Sequence, residues 1–159
     1  FVDEKKHFTP DEMMRYIRKA SRDNARTPMQ WDASANAGFT TGTPWIAVNP
    51  NYTTINAQAA LADPNSIFYH YQKLIALRHT LPVVTDGDYT LLETPEALFC
   101  YTRDDGKQAL LVCCNFTSQQ VPYAVPQRFA KAQLLLGNYS EAPGDRMQPY
   151  EARIYLAQD

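Results

Sequence analysis

The chain has 159 residues, 45% of them hydrophobic, which is enough for one domain or for one domain and a piece of another. Its formal net charge is −2 with acids and bases interspersed, so it lacks the basic face that nucleic-acid binding needs. No segment approaches the roughly 20 apolar residues of a membrane-spanning helix, and the opening "FVDEKKHF" is neither a start methionine nor a signal peptide, which predicts a piece of a longer protein.

Residues 9–20, "TPDEMMRYIRKA", predict a short helix. Thr9 suits the N-cap, Pro10 the first helical position, and Asp11 and Glu12 the first turn. Met13, Met14, Tyr16 and Ile17 form its apolar stripe. The basic residues from Arg15 to Arg22 fall near its end, where cations favour the helix dipole.

Residues 21–54 are irregular, punctuated by Pro28, Gly38, Gly42, Pro44 and Pro50. A loop of this length is uncommon and usually functional or disordered. Trp31, Phe39, Trp45 and Tyr52 argue against disorder and predict a loop that packs its rings against something. Residues 55–62 predict a short helix. Asp63 and Pro64 then suit the N-cap and first position of a longer one, whose stripe is Ile67, Phe68, Tyr71, Leu74, Ile75 and Leu77. Thr80 to Pro82 breaks it.

From Val83 the period changes to that of strands. "YTLLE", "ALFCYT", "QALLVCCNFT", "QVPYAV", "AQLLLG" and "ARIYLA" are short β-prone runs, and Asp105-Gly106 is a strong hairpin signal. Six or seven such strands predict a small antiparallel sandwich. Along β-run 108–117, Leu110, Val112 and Cys114 should face one side and Leu111 and Cys113 the other. The chain therefore divides into residues 1–82 and 83–159.

Cys100, Cys113 and Cys114 fit neither a disulfide framework nor a metal spacing, and they read as small buried hydrophobes. No metal or other cofactor is expected, and a reducing cytoplasm fits best. The glycosylation sequons at Asn51, Asn115 and Asn138 stand against that location. They are discounted, since such sequons arise by chance and Asn115 ends a hydrophobic run. His7, His70 and His79 are scattered without an acid or base at a fixed spacing, so no histidine catalysis is expected.

The densest chemistry is "SRDNARTPMQWD", Ser21 to Asp32. It has two readings. In one, the loop satisfies itself: Arg22 and Arg26 pair with Asp23 and Asp32, while Asn24 and Gln30 tie down backbone groups. In the other, the guanidinium forks bind a polar ligand and the Trp31 ring offers a face to a sugar. Spacing alone leaves both open.

This stretch, followed by "AGFTTGTPWIAVNPNY", "INAQAALADPNSIFYHYQKLIALR" and the late "PYEA", resembles the α-amylase superfamily glucosidases: oligo-1,6-glucosidase, dextran glucosidase and trehalose-6-phosphate hydrolase. The likeness runs through nearly the whole chain. It implies the end of a (β/α)8 barrel, with the last loop and helix in residues 1–82, followed by an all-β antiparallel sandwich C-terminal domain in residues 83–159. A barrel needs about 250 residues, so the remainder would lie outside this chain, as would the family's catalytic carboxylates. The chain alone would then be inactive. It would also be prone to self-association through the surface that should face the barrel.

The resemblance further implies that Arg22 approaches the non-reducing terminal glucose of an oligosaccharide substrate and binds its far hydroxyl. Asp23, Asn24 and Arg26 would brace the loop, and Trp31 is left between packing and sugar contact. Tyr89, Tyr101, Tyr123 and Tyr139 read as exposed on the sandwich. They keep a second function class open, a stand-alone module that binds carbohydrate or protein without catalysis.

Overall fold

The structure is a computed structural model that describes residues 8–140 and 144–158. It divides into two compact units after Gln72, inside a helix.

In the first unit, α1 spans Pro10–Ala20 and begins with the predicted cap. Thr9 N donates to Glu12 Oε2 at 2.9 Å, and Glu12 N donates to Thr9 Oγ1 at 3.3 Å. This reciprocal box satisfies two of the donors that a helix start leaves open. That Thr9 backbone bond and a further one from the Thr9 hydroxyl to Glu12 Oε2 at 3.0 Å hold the Glu12 carboxyl below its ordinary pKa, the backbone bond contributing most. Phe8 and Tyr16 meet edge to face at 5.2 Å, yet no residue of α1 is buried.

Helix α2, Ala57–Ala62, is capped by Asn56, whose Oδ1 accepts from Ala59 N at 2.8 Å. Helix α3 spans Ile67–Thr80. Asp63 and Pro64 do not start it, contrary to the sequence reading. Asp63 instead closes a turn, its Oδ1 accepting from Asn65 N at 2.9 Å and its carbonyl from Ser66 N at 3.0 Å. The same Asx geometry that can cap a helix can close a separate turn.

A second correction follows at Pro82. The residues after it do not enter a strand but form a one-turn helix, α4, Pro82–Asp86, with proline at its first position. Arg103 holds the end of that turn, its guanidinium donating to the carbonyls of Val83, Thr85 and Gly87 at 3.3, 3.1 and 2.7 Å. These are the acceptors that a helix C-terminus leaves unsatisfied.

Among the described residues seven strands follow: β1 Asp88–Leu91, β2 Leu98–Asp104, β3 Gln108–Asn115, β4 Val121–Pro122, β5 Gln133–Gly137, β6 Arg146–Met147 and β7 Ala152–Gln158. Five make an antiparallel sheet in the order β1-β2-β3-β7-β5, and β4 pairs with β6. The β2–β3 hairpin turns at Gly106, whose φ of +80° suits glycine. As the alternation predicted, Leu111 and Cys113 join a core with Leu98, Cys100, Val121, Tyr123, Phe129, Met147 and Tyr155, between the two sheets. Leu110 faces the other way, packing with Val83 and Leu156. Leu74, Leu77 and Leu81 line a cleft of about 300 Å³ on that second face.

Burial corrects two further expectations. Tyr123 lies in the core at 8% exposure, whereas Tyr89 and Tyr139 are exposed. Cys100 and Cys113 are buried, but Cys114, on the opposite face of β3, is half-buried. Asn115 is fully engaged. Its amide donates to Gln119 O and Gln148 O at 2.7 and 2.8 Å, and its Oδ1 accepts from Thr117 N at 3.0 Å. A buried side chain so occupied has no room for a glycan.

Beside it lies Arg153, 2% exposed on β7. Its guanidinium makes a two-pronged pair with Glu151 at 2.7 and 2.9 Å and donates to Gly144 O at 2.9 Å and Arg146 O at 2.5 Å. A charge this deep needs such complete pairing.

Candidate functional site: the loop from Ser21 to Asn56

The loop is ordered by its own polar groups. A 3-10 turn at Asp23–Ala25 opens it, with Ala25 N donating to Arg22 O at 3.1 Å and Arg26 N to Asp23 O at 3.0 Å. Pro28 is buried. Gln30 then joins the two ends: its Nε2 donates to Asn51 Oδ1 at 3.0 Å and to the Ile55 carbonyl. Backbone bonds reinforce the same closure, Ala57 N to Gln30 O and Gln58 N to Trp31 O, both at 2.9 Å.

Between these ends lies a strained run. Asn36, Ala37 and Gly38 have φ of 54°, 56° and 67°. Left-handed backbone is costly for a residue with a Cβ, least so for asparagine. Hydrogen bonds hold it: Ala37 O accepts from Trp31 N at 2.9 Å, and Asn36 Nδ2 donates to Thr40 O at 3.1 Å and Gly42 O at 2.9 Å. Gly38 is needed on a second count, because a Cβ there would meet the Asp32 carboxylate at 2.7 Å.

Asp32 is itself committed, accepting from Ser34 N at 2.8 Å and from the Ser34 hydroxyl. These bonds hold its carboxyl below the ordinary value, the hydroxyl bond contributing most. The self-satisfied reading is therefore correct for Gln30 and incorrect for the Arg–Asp pairs. Arg22 and Arg26 are exposed, and neither guanidinium has a hydrogen-bond or ion-pair partner among the described residues. Asp23 is exposed too. Its backbone shapes the turn, Asp23 N donating to Ser21 Oγ at 3.3 Å. Asn24 is the middle residue of that turn, and its side chain lies outside the described residues. Gln30, Asn36, Asn51 and Asn56 carry most of the side-chain ordering of the loop. The Asn-x-Gly at 36–38 was the signal for the left-handed run.

The loop does not fold back over its rings. Trp31 and Phe39 are half-exposed, and Trp45 is 100% exposed. Helix α3 similarly leaves Ile67, Phe68, Tyr71 and Ile75 exposed along adjoining positions. No group of three or more metal-ligating side chains occurs among the described residues. No helix among them is long and apolar enough to cross a membrane. His7 lies outside the described residues.

The family model for the α-amylase catalytic domain matches residues 2–87, just over half of the chain. The chain belongs to the α-amylase family. Its likeness to α-amylase family glucosidases continues beyond the matched residues. It is 49% identical over 156 residues to the oligo-1,6-glucosidase of Heyndrickxia coagulans, covering 97% of this chain and 28% of that protein.

Among solved structures of the family, the trehalose-6-phosphate hydrolase of Bacillus licheniformis superposes with a TM-score of 0.85 at 41% identity, covering 95% of this chain and 29% of the other. An isomaltulose synthase of Erwinia rhapontici NX5 does so with a TM-score of 0.85 at 38% identity, covering 96% and 28%. The chain thus spans less than a third of the length of these α-amylase family relatives.

Proposed function

We propose that the chain is the C-terminal portion of a retaining, exo-acting α-glucosidase that hydrolyses α-1,6 or related α-glucosidic bonds of short oligosaccharides. The observation that supports this most is a ratio. Likeness at 49% identity extends over 97% of this chain while covering 28% of an oligo-1,6-glucosidase. Residues 1–82 then complete a (β/α)8 barrel with its last loop and final helix, and residues 83–159 form the C-terminal domain. Retaining hydrolysis needs two carboxyl groups about 5 Å apart. The remainder of the enzyme supplies them, so this portion carries no catalytic residue, and the reaction calls for no metal or other cofactor.

The role of the portion is specificity. Among the described residues Arg22 has no partner for its guanidinium, on a loop whose other polar groups are largely bonded internally. Such a fork donates two parallel bonds to neighbouring hydroxyls. Placed against the non-reducing terminal glucose, it closes one end of the pocket and leaves no room for a longer chain beyond it. Asp23, Asn24 and Arg26 brace that loop. An odd number of cysteines in apolar strand-like runs, with no disulfide framework, supports a cytoplasmic enzyme.

Two outcomes test this. The purified 159-residue chain should release no glucose from isomaltose, isomaltotriose or a nitrophenyl glucoside, and turnover that copurifies with the chain would refute the assignment. The same chain should self-associate through the exposed faces of the loop and α3, because monomers rarely expose apolar patches beyond several hundred Å². Light scattering should show a mass that rises with concentration. A constant monomer mass across the accessible range would contradict it.

A further inference from the structure

Cys100 and Cys113 face each other directly. They are Cα partners in the β2–β3 register. The Cys100 carbonyl accepts from Leu92 N at 2.9 Å, so the backbone polar groups of Cys100 point toward the β1 side of β2. Toward β3 the two cysteines therefore form a non-hydrogen-bonded pair. In such pairs the Cα atoms lie about 4.5 Å apart and the side chains approach most closely. That separation falls within the range a disulfide spans, roughly 4.4–6.8 Å. Both thiols point into the core between the two sheets, and both are free. Cys114 sits on the other face of β3 and cannot compete.

We propose that Cys100 and Cys113 form a reversible, peroxide-responsive cross-strand disulfide within the sandwich core. The chemistry balances with one hydrogen peroxide. The Cys100 thiolate attacks a peroxide oxygen, the O–O bond breaks, and Cys100 becomes a sulfenic acid while hydroxide leaves. The Cys113 sulfur then attacks the Cys100 sulfur, the S–O bond breaks, and water departs with the Cys113 proton. Two thiols are oxidised to one disulfide, and one hydrogen peroxide is reduced to two waters.

The two thiols are unequal in the required sense. The contact with Cys113 lowers the pKa of the Cys100 thiol, and the same contact, with burial, raises that of Cys113. Cys100 is thus the attacking group and Cys113 the resolving one. Full burial selects the oxidant: hydrogen peroxide can enter on a local opening, whereas a bulky disulfide such as oxidised glutathione cannot easily reach either sulfur.

The test is hydrogen peroxide titration of the whole chain, read by intact mass and by mapping of unreduced peptides. The expected product has lost one pair of hydrogens and joins the Cys100 and Cys113 peptides. Its Tm should rise and return to the starting value on reduction. Cys114→Ser should leave the cross-link intact. Cys113→Ser should stop at a sulfenic acid on Cys100, trapped by a dimedone probe. If that variant does not fold, the wild-type peptide map decides alone. Exposed Met29 serves as the internal gauge of oxidation. Complete sulfoxidation of Met29 with both thiols still titrating free would overturn the proposal, as would a Cys100 link to Cys114 or to a second chain.

Discussion

Arg22→Ala should lower kcat/KM at least about tenfold for every substrate cut from the non-reducing end, once the chain stands in a complete enzyme. A suitable enzyme is the Heyndrickxia coagulans oligo-1,6-glucosidase with its matching 156-residue segment replaced by this chain. The magnitude follows from one charge-assisted contact, worth roughly 1.5–3 kcal/mol, when about 1.4 kcal/mol is tenfold in rate. Arg22→Lys should recover only part of the loss, because an ammonium is a point charge and not a two-pronged fork. Arg26→Ala should act differently, lowering the Tm while the folded enzyme keeps near-normal kcat/KM. A catalytically normal Arg22→Ala beside a stable but inactive Arg26→Ala would show the two roles reversed.

The largest effect on stability is expected at Arg153. Its side chain is 2% exposed and that of Glu151 5%. Arg153→Ala removes one member of a buried pair, leaves a carboxylate without its counter-charge, and frees the carbonyls of Gly144 and Arg146. Such a change typically costs about 3–5 kcal/mol, a large share of the roughly 5–15 kcal/mol that keeps a domain folded. The shift of the urea midpoint at constant slope measures it. Replacing both members together, Arg153→Met with Glu151→Leu, should recover much of the loss, because no buried charge then remains unpaired. A single-variant cost below about 1 kcal/mol, the range of surface pairs, would contradict this account of the core.

Much of the fold was legible because the signals were local. Thr9, Pro10 and Glu12 specify the start of α1 within four residues, and Asp105-Gly106 specifies the β2–β3 turn within two. The period-two pattern of residues 108–115 predicted which side chains enter the core. The misses were competitions that a local pattern cannot decide. Asp63 can cap a helix or close a turn, and it closed a turn. Val83 and Val84 favour a strand, but Pro82 and the carbonyl contacts of Arg103, twenty residues away, hold them helical. Two-residue β6 is too short to show any period.

In the candidate site, composition drew attention to the loop from Ser21 to Asp32 but not to its wiring. Asp23 and Asp32 both lie near Arg22 and Arg26 in sequence, and a pairing was as plausible as its absence. Asp32 turned to Ser34 because an Asx turn forms within two residues and fixes little chain. That local choice removes Asp32 as a partner for the arginines.

The role proposed for this chain is to lend specificity to a catalytic apparatus located elsewhere in a glucosidase. The most direct measurement compares glucose release from isomaltose by three purified proteins: this chain alone, the H. coagulans enzyme lacking the matched segment, and the same enzyme carrying this chain in its place. No release is expected from the first two and isomaltose hydrolysis from the third. Hydrolysis by the chain alone, or a folded chimaera that hydrolyses no α-glucoside, would contradict it.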